Sequence, residues 1–118
     1  MTSMTRTTPI LVVGAGFVGL ATAAFLANKG HRVTIAEKNQ FIVDSLKSGK
    51  LHFREPELAD KLKAAFRADR LRVLLPSKEV FQQASIIIVA IDSADQKTWK
   101  MKLAAFERGG KSSKVLRN

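Results

Sequence analysis

Between an aliphatic run at residues 10–13 and a charge-free, alanine-rich stretch beginning at Phe17 lies the hexapeptide Gly14-Ala15-Gly16-Phe17-Val18-Gly19. A G-x-G-x-x-G spacing in that position leaves few architectures open, because each glycine answers a separate steric demand. The first permits a tight turn out of the strand, the second lets backbone approach a pyrophosphate with no Cβ intervening, and the third lets the following helix pack closely on the strand. Unpaired N–H groups at the helix start, with its positive dipole end, then face the phosphates. The run at 10–13, with Pro9 before it, suits a central parallel strand covered on both faces. Phe17, Leu20, Ala21, Ala24, Phe25 and Ala27 recur at helical spacing over 17–29, and Gly30 supplies a left-handed cap.

The alternation continues along the chain. A strand over 32–36 ends in Glu37, and Asn39 caps a helix over 40–47 that stops at Gly49. After a polar stretch at 48–54, Pro56 suits the first turn of a helix reaching about residue 66, with Leu58, Leu62, Ala65 and Phe66 as its apolar stripe. A strand follows at 71–75, a helix opened by Pro76 and Ser77 ends near Ala84, and the strand at 85–91 contains Ile86-Ile87-Ile88-Val89. Residues 96–106 read as a basic helix terminated by Gly109 and Gly110. Strands alternating with helices predict an α/β fold, a Rossmann-like doubly wound parallel sheet of which this chain holds the N-terminal part. With 118 residues there is room for one domain. The partition expected is a disordered leader at 1–8, a dinucleotide-binding domain at 9–96, and a basic tail at 97–118.

Glu37 lies at the end of the strand after the glycine turn, where a carboxylate accepts hydrogen bonds from both adenosine ribose hydroxyls and repels a 2′-phosphate. That favours NAD over NADP, although Lys38 beside it offsets part of the repulsion. The same spacing serves FAD enzymes, so residues 10–37 alone leave a flavin-binding fragment open.

Composition narrows the other classes. Hydrophobic residues make up 46% of the chain and charged residues 25%, as in ordinary globular domains. The formal net charge of +10 is concentrated at the end, where Lys97, Lys100, Lys102, Arg108, Lys111, Lys114 and Arg117 face Glu107 alone. No helix-turn-helix pattern or zinc-finger spacing accompanies it, so no specific nucleic-acid partner is expected. The absence of cysteine removes disulfides, thiolate metal sites and a thiol nucleophile. His31 and His52 lack metal-ligand spacing and read as surface or loop residues. Asp92 and Asp95 stand near the expected cofactor mouth, and Trp99, set among lysines, reads as packing under a further domain. Residues 9–28 carry no charge, but Gly14, Gly16 and Gly19 fit a buried strand and helix better than a signal or membrane anchor.

Beyond Glu37 the chain resembles the N-terminal domain of the UDP-glucose/GDP-mannose dehydrogenase family over about residues 9–92. The residues carrying this are Val12 to Leu20 with an aromatic-Val-Gly-Leu ending, Gly30-His31, the segment from Asn39 to Leu46, Gly49-Lys50, and Glu55-Pro56-x-Leu58. Leu71-Arg72-Val73 and the strand ending at Val89 complete it. The chain departs at Ile42, where a basic residue is frequent, at Glu57, where glycine is usual, and at 91–95, which lack a Thr-Pro loop.

The resemblance implies NAD as cofactor, with Phe17 and Val18 amides along the pyrophosphate and Glu37 on the ribose. It implies oxidation of a sugar CH–OH in a nucleotide sugar, through a cysteine thioester whose residues lie past this chain's end. Binding without turnover in the cytoplasm is therefore expected, with nucleotide sugar bound only if another polypeptide or domain supplies that machinery. A complementing chain or homo-oligomer, a non-catalytic NAD(H) module, and a frameshifted tail from about residue 97 remain alternatives.

Overall fold

The computed structural model describes residues 8–91, 96, 97 and 99–101, together with the backbone of 114–117. The elements run β1 (Pro9–Val13), α1 (Phe17–Asn28), β2 (Arg32–Ala36), α2 (Gln40–Lys47), α3 (Pro56–Arg67), β3 (Leu71–Leu74), α4 (Lys78–Gln82), β4 (Ile86–Val89) and β5 (Lys114–Arg117). All pairings are parallel, in the order β3-β2-β1-β4-β5. Among the described residues these are the first five strands of the Rossmann order. The expected strands and helices up to residue 91 match to within two residues at each end, whereas β5 falls in the stretch expected as a basic tail at 97–118. The expected helix at 96–106 is helical at 96, 97 and 99–101, while Gly109, Gly110 and the leader at 1–7 lie outside the described residues.

Strand alternation divides β1 between two cores. Ile10 and Val12 point to one face, where they meet Val33, Ile35, Leu71 and Val73 beneath α1, α2 and α3. Leu11 and Val13 point to the other, with Ile87 and Val89 under Phe81 and Trp99. A strand buried on both faces needs an uninterrupted aliphatic run, which is why residues 10–13 carry no polar side chain. Trp99 is 1% exposed and packs on this domain's own sheet. It therefore does not await a further domain, as its lysine-rich surroundings suggested.

On α1 the buried positions are Gly19, Leu20, Ala23, Ala24 and Ala27. Phe17 and Phe25, assigned by spacing to the apolar stripe, instead stand 53% and 60% exposed. The helix is apolar all round, so periodicity could not tell its two faces apart. Phe17, Ala21 and Phe25 line a groove of about 460 Å³ shared with Leu58 and Lys61 of α3.

Three helices end in the same six-to-one, five-to-two hydrogen-bond pattern. His31 and Gly30 amides close α1 on Leu26 and Ala27, and Lys50 and Gly49 amides close α2 on Ser45 and Leu46. Arg70 and Asp69 amides close α3 on Ala65 and Phe66. The first two use glycine at positive φ, whereas Asp69 adopts φ 58°. An L-residue pays for the left-handed conformation. Asp69→Gly is therefore expected to raise unfolding free energy by about 0.5–1 kcal/mol, the relief of strain exceeding the added chain entropy. Urea unfolding midpoints of the two proteins check this.

Candidate cofactor crevice

Ligands of open parallel sheets sit outside the carboxyl ends of the strands, where the strand order reverses. Here that point lies between β1 and β4, and a cavity of about 260 Å³ opens there. Its walls come from three strand ends: Gly14, Ala15 and Gly16 after β1, Glu37 and Lys38 after β2, and Ala90 and Ile91 after β4. Asn39, Ile42, His52 and Trp99 complete them. The groove between α1 and α3 is larger but lies between helix faces.

The glycine turn is fixed by contacts no side chain could share. Gly14 sits at φ 105°, and a Cβ there would lie 2.3 Å from the carbonyl oxygen of Ala90. At Gly19 a Cβ would fall 2.1 Å from the carbonyl oxygen of Gly14. The first and third glycines thus seat α1 directly on the strand ends. Gly16 is different, since as N-cap it has φ −81° and ψ −172°, extended backbone open to any residue.

Helix α1 starts without a side-chain cap and without an acidic residue in its first turn. Of α1 to α4 it alone lacks both, since Asn39 caps α2, Glu57 opens α3, and Ser77 with Glu79 opens α4. The first-turn amides of Phe17, Val18 and Gly19 have no intrahelical acceptor, and the dipole leaves positive potential there. A helix terminus left uncapped in this way has the polarity to attract an anion.

Glu37 is buried, with 7% of its surface exposed. Its Oε1 accepts from the Ala15 N–H at 3.0 Å and its Oε2 from the Asn39 N–H at 2.8 Å. One carboxylate therefore ties the glycine turn to the start of α2. Asn39 in turn accepts at Oδ1 from the Phe41 and Ile42 amides, as the sequence predicts for a cap. A carboxylate offers about four acceptor positions. Two are taken by backbone, leaving each oxygen able to receive one more hydrogen bond.

The structure brings Gly14, Gly16 and Glu37 together in one cavity, with Phe17, Val18 and Gly19 on the helix turn that leaves it. Asp92 and Asp95 lie outside the described residues. His52, assigned by sequence to a surface or loop, is in a loop but faces the cavity. Its ring meets Phe53 edge-on at 4.8 Å and 82°, and Phe53 meets Phe17 at 6.3 Å and 60°. No spacing signal could have found it, because its place depends on the loop before α3 folding back over the glycine turn. Ile42 and Ile91 give the cavity apolar surface. No helix among the described residues is long and apolar enough to cross a membrane.

Comparison with known proteins agrees with this geometry. The family model described as the UDP-glucose/GDP-mannose dehydrogenase family, NAD binding domain, matches residues 8–113 and so runs past residue 97. The UDP-N-acetyl-D-mannosamine dehydrogenase of Methanococcus maripaludis is 37% identical over 70 residues, 59% of this chain and 16% of that protein. The UDP-glucose 6-dehydrogenase of Pseudomonas aeruginosa is 33% identical over 82 residues, 70% of this chain and 18% of that protein. Among solved structures, GDP-mannose dehydrogenase from Pseudomonas aeruginosa superposes with a TM-score of 0.80 at 20% identity. That alignment covers 92% of this chain and 27% of the other, and it speaks to the fold. The chain thus spans under a fifth of the length of these curated relatives. A strand-end crevice built on a glycine turn and a buried carboxylate, and a family model matched along nearly the whole chain, lead to one conclusion: the chain belongs to the UDP-glucose/GDP-mannose dehydrogenase family, as its NAD-binding domain.

Proposed function

We propose that the crevice at the ends of β1, β2 and β4 holds NAD(H), with Glu37 on the adenosine ribose and the glycine turn along the pyrophosphate. The observation that carries this is the Glu37 carboxylate. It is buried and oriented by two backbone N–H groups, yet keeps an acceptor position on each oxygen for a ribose hydroxyl. Gly14 and Gly19 shape the turn, and Gly16, whose own backbone needs no glycine, leaves space for phosphate to approach. The unshared amides of Phe17, Val18 and Gly19 donate to the phosphate oxygens. Ile42 and Ile91 offer an apolar surface to the adenine. The residues present fit the cofactor at each of these points.

NAD accepts hydride when a sugar alcohol is oxidised. In this reading the chain binds and orients that acceptor for a nucleotide-sugar dehydrogenase working in the cytoplasm. With no cysteine among its residues, it forms no thioester with the sugar itself. That step belongs to polypeptide outside these 118 residues, whether a further domain or a complementing chain.

Calorimetric titration of the folded chain tests the reading. NADH is expected to give a saturable isotherm, with NADPH at least about tenfold weaker because a 2′-phosphate meets the Glu37 carboxylate. Tighter binding of FAD than of NADH would overturn the assignment, as would no binding at all.

A further inference from the structure

The groove between α1 and α3 stands apart from the crevice, since no described residue lines both. Phe17 and Phe25 border it with 53% and 60% of their surface exposed, and between them lie the half-buried Ala21 and the buried Leu58. Ala21 and Phe25 are four residues apart on one face of α1, so that face carries a projecting ring and, one turn before it, a low point. The ends of the groove differ in charge. Phe53 packs against Phe17 and leads into Glu55 and Glu57 at the start of α3, which sets both carboxylates toward the start of α1. At the other end the Asn28 side chain donates to the Lys61 carbonyl at 3.2 Å, and the Lys29 ammonium stands 5.4 Å from the Phe25 ring centre. An acidic end, an apolar middle and a basic end thus follow one another along a single face.

We propose that this face binds a second copy of the chain, the two copies being related by a two-fold axis across the groove. The order of charges selects that occupant. A two-fold axis perpendicular to α1 reverses the partner's face, so its basic end meets the acidic end here, and the reciprocal contact repeats the match as an isologous interface requires. Stacking the two faces in parallel would set carboxylate against carboxylate. Glu57 and Lys61, one turn apart, can pair within α3, so the pairing between copies falls to Glu55 and Lys29. Phe25 of each copy then fills the low point at Ala21 of the other. The two rings offer roughly 200 Å² of apolar surface per copy, which places the interface at the small, reversible end of specific contacts. Because the crevice shares no described residue with the groove, this pairing is independent of what the crevice binds.

Sedimentation equilibrium of the intact chain tests this, at about 0.15 M salt so that the general repulsion of its positive charge is screened beyond about 8 Å. A reversible dimer is expected, with a dissociation constant on the order of 10–100 µM. Phe25→Ser, at an exposed position, is expected to weaken it at least about tenfold. Phe41→Ser, 77% exposed on α2 and outside the groove, is expected to leave it unchanged. Charge reversal reads the orientation. Lys29→Glu and Glu55→Lys, the latter at a side chain that caps no amide, are each expected to weaken self-association about 5–10-fold. An equimolar mixture of those two variants is expected to associate within about threefold of the parent, because each then supplies the sign the other lacks. A chain that stays monomeric up to about 1 mM, a dimer indifferent to Phe25→Ser, or a mixture no tighter than its separate components would overturn the inference.

Discussion

Gly14→Ala is expected to lower the unfolding free energy by about 3–5 kcal/mol, since backbone strain and overpacking act together and each costs about 1–3 kcal/mol. The strain arises because φ 105° is a region that L side chains rarely adopt. The overpacking arises because the added methyl meets the Ala90 carbonyl oxygen at 2.3 Å and its carbon at 3.1 Å. Those atoms are backbone held in the sheet, where the Ala90 N–H donates to the Val13 carbonyl at 2.9 Å, so they cannot swing aside as a side-chain tip would. Gly49→Ala supplies the comparison. Its φ is 87°, but a Cβ there would meet nothing within 4 Å, so only the strain remains, at about 1–2 kcal/mol. Thermal unfolding of the two variants separates the contributions. Equal midpoints would mean that the contact between the glycine turn and the end of β4 carries no energy.

Glu37→Gln carries the second large effect, and it acts on stability and binding at once. The parent carboxylate satisfies the Ala15 and Asn39 amides with two acceptor oxygens. Glutamine has one acceptor oxygen and one NH₂ group, so one of the two backbone donors faces another donor. Leaving that group unpaired is expected to cost about 1–3 kcal/mol of stability. Affinity for NADH is expected to fall about 10–100-fold, because a ribose hydroxyl loses a charged acceptor worth about 1.5–3 kcal/mol. The preference over NADPH is expected to narrow as well, since the charge repelling a 2′-phosphate is gone. Calorimetry alongside thermal unfolding reads both. A lowered melting point with unchanged NADH affinity would make Glu37 a brace between the turn and α2, with no part in the ligand site.

Sequence reasoning located what local chemistry dictates. Asn39 caps α2 because its side chain reaches amides two and three residues on, and Gly30 and Gly49 close helices because their φ is positive. The glycine turn and Glu37 were equally legible, since each sits where a strand stops. What escaped depends on distant segments meeting. Trp99 read as packing under a further domain, yet it covers the face of this sheet beside the short helix α4. Phe17 and Phe25 matched a buried stripe, but smaller neighbours on the same helix take the close approach to the sheet. Asp69 takes a backbone conformation normally given to glycine, which no composition rule announces. His52 acquires its place only when a loop folds back across the turn.

The parallel register of β1 has a consequence for synthesis. Ile10 pairs with Val33 on one side and with Ile86 on the other, so β1 acquires one neighbour soon after it is made and the second only after about fifty further residues have left the ribosome. A nascent chain ending near residue 60 already contains the glycine hexapeptide and the carboxylate that orders it, but not the Ala90 wall against which Gly14 is set. Most of the crevice lining lies between residues 14 and 52, and the rest, Ala90, Ile91 and Trp99, comes about forty residues later. Cofactor cannot then be captured progressively during translation, and this parallel pairing, which waits on distant closure, sets the moment at which the domain becomes able to bind it.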